Sequence, residues 1–187
     1  MHSLIISAHP SSIGFAKRIA TTYAEEKRKN GHTAALIDLY APEHKEDYLR
    51  FETMADLKQA TLDKYQEEIK KCDELVLCFP TWWYSEPAVL KNWIDTHFSA
   101  GFAYHFTKIG VPLGHLKGRT LRIFTTTGGP SWVYKFRILP FLPSLRLTLR
   151  QCGLRTTSTK IFGPKRHPNE VRDAQWLEEV RTIARAA

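Results

Sequence analysis

Short apolar runs alternate with amphipathic stretches along the chain, and the alternation predicts its elements. Leu4-Ile5-Ile6-Ser7-Ala8 is an apolar run that ends in His9-Pro10 and the turn-prone Ser11-Ser12-Ile13-Gly14, the pattern of a buried strand entering a loop. Phe15, Ile19 and Tyr23 then recur at four-residue spacing. Lys17, Arg18, Glu25, Glu26, Lys27 and Lys29 fill the other faces and Asn30-Gly31 supplies a stop, so a helix is expected. A second strand is expected over about Thr33 to Leu39, followed by a polar connection that turns helical near Leu62 to Lys71. The run Leu75-Val76-Leu77-Cys78-Phe79 reads as a third strand closed by Pro80, and Pro87 suits the first turn of a helix with Leu90, Trp93, Ile94, His97 and Phe98 as its stripe. A fourth strand spans about Leu121 to Thr126, and a mixed apolar and basic stretch runs from Trp132 to Arg150. A fifth strand near Arg155 to Phe162 precedes a closing helix that carries Val171, Ala174, Leu177, Val180 and Ile183.

Five strands alternating with helices predict an α/β fold, a parallel sheet covered on both faces with right-handed connections. The 187 residues suit a single domain over 1–187, without internal repeats. No run reaches the roughly 18–20 apolar residues of a membrane span and no signal-peptide pattern opens the chain, so a cytoplasmic location is expected. Three cysteines without CxxC spacing imply neither a disulfide framework nor a zinc knuckle. His97, His105, His115 and His167 lack HExxH or close carboxylate spacing, and no metal site is expected. No GxSxG elbow is present, and Cys78, inside the third strand, is a poor thiolate.

Charge changes the picture through its distribution. The net charge is +8, yet no Asp or Glu occurs between Asp95 and Glu170, a window with twelve Lys or Arg, while the rest of the chain is net −4. One face therefore favours anions. The basic residues are dispersed, without an RNP, GXXG or zinc-finger pattern, so a small anionic cofactor or substrate is expected rather than nucleic acid.

In a doubly wound sheet, ligands bind beyond the carboxyl ends of the strands, where strand order reverses. Three loops lie there. The first, His9 to Gly14, offers Ser11, Ser12 and the amides of a helix N-terminus to a phosphate, although either serine suits a helix cap and His9 suits a core. The second, Thr81-Trp82-Trp83-Tyr84-Ser85, puts three aromatic side chains at a strand end, where they suit a flat conjugated ring or, equally, core or dimer packing. The third, Thr126-Thr127-Gly128-Gly129, lets backbone approach a ligand, as it would also permit a tight turn. Neither GxGxxG after the first strand nor GxxxxGK[ST] is present, which removes the dinucleotide fingerprint and the ATPase loop.

Four blocks in order carry a resemblance over about Met1 to Phe162: Ser7-Ala8-His9-Pro10 through Phe15; Phe79-Pro80-Thr81-Trp82-Trp83-Tyr84-Ser85-Glu86-Pro87-Ala88-Val89-Leu90-Lys91-Asn92-Trp93-Ile94-Asp95; Gly101-Phe102-Ala103-Tyr104; and Thr126 to Gly129. Together they resemble the NAD(P)H:quinone oxidoreductase branch of the flavodoxin-like flavoproteins, with the second block the most specific. The resemblance implies a flavodoxin-like five-stranded sheet of order 2-1-3-4-5 and a flavin, FMN or FAD, reduced by NAD(P)H and reoxidised by a quinone or similar acceptor. It implies His9, Ser12, Phe15 and Ala16 around the phosphate end, with Ser11 and Gly14 in the same loop. Pro80, Thr81, Trp82, Trp83 and Tyr84 would line the isoalloxazine, Thr126, Thr127, Gly128 and Gly129 would meet its pyrimidine edge, and Tyr134 would lie over the pocket as the candidate catalytic side chain.

Two departures accompany the match. Gly14-Phe15-Ala16 stands where the family often has Ser-Phe-Asn, and apolar residues with Pro140 fill Ile138 to Phe141 where the family has a histidine. Relatives are homodimers, and Phe136, Ile138, Leu139, Phe141, Leu142, Leu145 and Leu147 are expected either at a subunit contact or packed on the sheet. Lys135, Arg137, Arg146 and Arg150 are candidates for guiding NAD(P)H phosphates. Two other readings stay open: a flavin- or nucleotide-binding regulatory subunit docked on a membrane transporter, and a reductase of azo or nitro compounds.

Overall fold

The apolar runs form strands because their side chains are buried against neighbours rather than shown to solvent; all seven residues of β3, Glu74–Pro80, are buried. It is the middle strand of a parallel sheet that also contains β1 (His2–Ser7), β2 (Thr33–Asp38), β6 (Thr120–Thr126) and β7 (Arg155–Phe162). The order is β2-β1-β3-β6-β7, so the strands of this sheet, counted by themselves, run 2-1-3-4-5 as expected. The computed structural model describes residues 1–53, 56, 65–135 and 142–187.

Successive side chains along a strand point to opposite faces, and two cores follow from that alternation. Leu4, Ile6, Leu75, Leu77 and Phe79 cluster with Ile69 of helix α2 (Gln66–Lys71), Leu90 and Trp93 of α3 (Ala88–His97), and Leu145 and Leu149 of α5 (Pro143–Gln151). Ile5, Val76, Cys78 and Phe124 cluster instead with Phe15, Ile19 and Tyr23 of α1 (Phe15–Lys29) and Leu177 and Val180 of α6 (Glu170–Arg185). Helices thus cover both faces, and the sheet's carboxyl edge is left to loops.

Two features depart from the sequence pattern. An antiparallel hairpin, β4 (Tyr104–Phe106) with β5 (Pro112–Gly114), occupies a stretch for which no element was expected. Its strands are too short to display a period, and its turn closes through Gly110 N–H to Thr107 O at 2.9 Å with Gly110 at φ +79°, a conformation glycine adopts without steric cost. The stretch from Trp132 to Arg150 resolves into α4 (Ser131–Lys135) and α5. Leu142, Leu145 and Leu149 are packed into the core while Leu147 is exposed. Phe136, Arg137, Ile138, Leu139, Pro140 and Phe141 lie outside the described residues, as do residues 62–64 of the helix expected near Leu62.

All three cysteines are free and buried. Burial pushes the Cys72 thiol up to about 12 and the Cys152 thiol to about 11, and it raises Cys78 as well. None is a nucleophile near neutral pH. Among the described residues no helix is long and apolar enough to cross a membrane.

Candidate functional site at the carboxyl edge of the sheet

Backbone pairing sutures the loops beyond the strands to one another. Thr81 N–H donates to Thr126 O at 2.8 Å, Thr127 N–H to Phe162 O at 2.9 Å, and Lys165 N–H to Thr127 O at 2.9 Å. The Thr81 and Thr125 hydroxyls meet at 2.6 Å. The second and third loops are thereby joined, a fourth, Gly163 to Arg166 after β7, closes on them, and the first follows β1 at the same carboxyl edge. Sequence reasoning missed the fourth, although the same carboxyl-edge rule includes it. Its signal is Gly163: a Cβ there would lie 2.2 Å from Thr127 Oγ1 and 2.5 Å from Gly129 O, so only glycine lets the two loops close.

The first loop is organised around His9. Its Nδ1 accepts the Ser11 N–H at 3.0 Å, and burial holds its pKa below the ordinary histidine value. A neutral ring whose Nδ1 accepts carries its proton on Nε2, which is therefore a donor. A Cβ on Gly14 would fall 2.0 Å from His9 Nδ1, so a larger residue there displaces the ring from this position. Gly14 is also the N-cap of α1, and no side chain caps that end or places an acid in its first turn. Ser11 and Ser12 are exposed and leave the first-turn amides uncapped, so those N–H groups and the dipole are offered to an anion.

Phe15 and Ala16 reach this anion site only through their backbone. The Phe15 ring is core, 6.1 Å from the Phe162 ring and 5.7 Å from that of Trp176, and Ala16 is fully buried. Lys165 Nζ lies 4.7 Å from the Phe15 ring centroid and Arg18 Cζ 5.5 Å from it. Both also pair with the buried Asp173.

The second loop is a tight turn with unusual occupants. Trp82 and Ser85 exchange both backbone hydrogen bonds, each 3.0 Å, and the intervening Trp83 and Tyr84 sit at φ 50° and 64°. Those left-handed positions ordinarily select Asn or Gly, and bulky side chains there store strain. Trp82, Trp83 and Tyr84 are exposed at 45, 94 and 41%, so the turn leaves much of these side chains open to solvent beyond the strand. Pro80 is buried in the strand, and Thr81 is half-buried.

The third loop supplies backbone. Thr126 and Thr127 are buried, Thr127 Oγ1 donates to Gly129 O at 2.9 Å, and Gly128 is exposed. A Cβ on Gly129 would lie 3.5 Å from the Tyr134 hydroxyl, so this phenol stands against Gly129, with its ring 6.0 Å from that of Tyr84, while the neighbour of Gly128 is the Arg166 side chain. On the other side of Trp82 a cleft of about 580 Å³ opens between it, Tyr40, Tyr48 and Val89. Among the described residues no group of three or more His, Cys, Asp or Glu could hold a metal ion.

The parts fit a flavin: an anion-ready helix end with a neutral histidine donor, exposed rings for a flat heterocycle, and a glycine pair for a polar edge. The family model described as the flavodoxin-like fold matches residues 1–183. A Haemophilus influenzae protein named uncharacterized NAD(P)H oxidoreductase is 32% identical over 87% of this chain and 84% of its own length. The Rattus norvegicus ribosyldihydronicotinamide dehydrogenase [quinone] is 26% identical over 96% of this chain and 90% of its length. Smu.1420 from Streptococcus mutans UA159 superposes over 100% of both chains with a TM-score of 0.81 and 29% identity. An FMN-dependent NADH-azoreductase from Bacillus anthracis, solved in complex with FMN, gives 0.70 at 19% identity over 98% of this chain and 97% of its own.

Proposed function

The chain belongs to the flavodoxin-like fold family, and on that premise we propose that it is a flavin-dependent NAD(P)H oxidoreductase with FMN as its flavin. The observation that carries this reading is the convergence of an uncapped α1 N-terminus, a neutral His9 and three exposed aromatic rings on one sheet edge. Bound there, the flavin supplies hydride acceptance from NAD(P)H and transfer of two electrons to a quinone or azo acceptor, in alternating half-reactions.

The residues divide the work by chemistry. First-turn amides of α1, with the exposed Ser11 and Ser12 and the His9 Nε2–H, hold the phosphate. Trp82, Trp83 and Tyr84 wall the ring system and exclude water from one face. The Gly128 and Gly129 amides are preorganised donors for negative charge that develops at the pyrimidine edge on reduction. Tyr134 donates toward flavin or acceptor from beside Gly129; its Phe variant keeps the ring and removes the donor. The acceptor enters against the exposed rings, where flatness is read and the rest of the molecule is tolerated. The protein acts in the cytoplasm as a homodimer, and the exposed Phe106, Ile109, Val111 and Leu113 of the β4–β5 hairpin supply apolar surface for the contact.

The test is an absorbance spectrum of the purified protein from about 300 to 550 nm, followed by anaerobic NADH or NADPH and then a quinone. A flavin spectrum that bleaches and recovers is expected. Protein that binds neither FMN nor FAD overturns the reading, and bound flavin that no nicotinamide reduces favours the regulatory alternative.

A further inference from the structure

Away from the sheet edge, two histidines meet on the β4–β5 hairpin. His105 Nδ1 and His115 Nε2 face each other at 2.6 Å, with their rings 4.9 Å apart and both residues exposed. The second ring nitrogen of His115 is committed: Nδ1 donates to Phe102 O at 3.2 Å. That bond fixes the neutral tautomer with its lone pair on Nε2, which accepts the His105 Nδ1–H at 2.6 Å, so an ion bound here takes the place of that proton and His105 then carries its own on Nε2. A backbone carbonyl that orients the imidazole in this way is the usual outer-shell partner of a metal-bound histidine.

The backbone under both rings is held. His115 N–H donates to Ala103 O at 2.9 Å and Leu116 N–H to Cys152 O at 2.9 Å. Between the strand and helix α5 there is no slack, since a Cβ on Gly114 would lie 2.2 Å from the Cys152 carbonyl carbon. His105 is paired within β4 opposite Leu113. Ligands on anchored backbone lose little freedom when they bind an ion.

We infer that His105 and His115 form a two-histidine binding site for a borderline divalent transition metal ion, of the Zn²⁺ or Ni²⁺ class, which ties the two arms of the hairpin together. Imidazole nitrogen suits these ions over Mg²⁺ or Ca²⁺, which take oxygen. At the usual metal–nitrogen distance of about 2.0–2.1 Å and a tetrahedral angle, two ligating nitrogens lie about 3.3 Å apart. The rings need to part by only ~0.7 Å, which rotation of two exposed side chains provides, and water completes the coordination. The bridge adds a cross-strand tie to a hairpin with three residue pairs, on a backbone already anchored beneath it. The sequence hides the pair because ten residues separate the ligands and only the hairpin's antiparallel pairing joins them.

The experiment is a Zn²⁺ titration of the purified flavin-loaded protein by calorimetry, together with nitrogen-resolved NMR of the histidine rings. Micromolar binding at one site is expected, with the His105 Nδ1 and His115 Nε2 resonances shifted. His105→Asn and His115→Asn should each weaken that site about tenfold or more, since outer-shell losses alone act on that scale. His167→Asn should leave it unchanged. Absence of micromolar binding in the wild-type protein, a shift confined to other histidines, or wild-type affinity in either His105→Asn or His115→Asn overturns the proposal.

Discussion

At the scale of single residues, the site depends on small groups that leave room and on one ring kept neutral. Gly14 and Gly163 matter for what a Cβ would strike, not for backbone freedom. His9 has a consequence for pH dependence. Burial lowers its pKa in the folded protein, so between that value and the ordinary 6.5 the unfolded chain binds a proton that the folded one does not. Its contribution to stability is therefore present above about pH 6.5 and is lost as pH falls through the window below it. His9→Gln keeps an acceptor of similar reach and removes the titration. Urea midpoints measured from pH 7.5 down to pH 5 should fall less steeply in this variant, while flavin affinity at pH 7.5 should stay within a few-fold of the parent, because the Gln amide accepts from Ser11 N–H and still offers an N–H donor. An unchanged slope would show that His9 does not set this dependence.

At the scale of elements, the sequence already carried the five sheet strands and the main helices, because each buried run is long enough to show its period and is bounded by proline, glycine or asparagine. It did not carry the β4–β5 hairpin, whose strands of three residues display no period. Nor did it carry the fourth loop, because Gly163 acquires meaning only once Thr127 lies against it. Phe15 was placed at the phosphate end by the resemblance alone, and helix geometry turns its ring into the core, so what it can offer an anion there is its backbone. The aromatic turn was legible as composition but not as strain. Trp83 and Tyr84 hold left-handed conformations that cost roughly 1–2 kcal/mol per residue for a side chain with a Cβ. Trp83 is 94% exposed and contributes little packing to offset that cost. Trp83→Asn should therefore stabilise the fold by about 1 kcal/mol in chemical denaturation, since Asn tolerates this position. The same variant should bind flavin more weakly in a fluorescence titration. A variant that loses both stability and affinity would mean that the indole is packed rather than displayed.

Across the whole molecule, the candidate site and a buried polar network lie at opposite ends of the same strands. Pro80 ends β3 beneath the aromatic turn; Glu74 begins it about 20 Å away at ~3.3 Å per residue. Glu74 is 2% exposed and accepts from Ser3 Oγ at 2.9 Å, Tyr23 OH at 2.9 Å and Arg122 Nε at 3.0 Å, while Arg122 also donates to Ser158 Oγ at 2.9 Å. This network joins β1, α1, β3, β6 and β7 at the amino edge of the sheet. Burial and the neighbouring Glu74 raise the Tyr23 phenol, so it stays protonated and donates. Arg122→Leu removes the only guanidinium given to Glu74 among its described partners and leaves a buried carboxylate with two neutral donors, a loss of the kind that costs about 3–5 kcal/mol. Because Arg122 is 12% exposed, water relieves part of that cost, and about 3 kcal/mol is expected, read from urea unfolding. Flavin affinity at a temperature where the variant is still folded should stay within about twofold of the parent, since separated sites act independently. Equal losses in stability and affinity would show instead that strain at the amino edge is transmitted along the strands to the loops, and that the two ends form one cooperative unit.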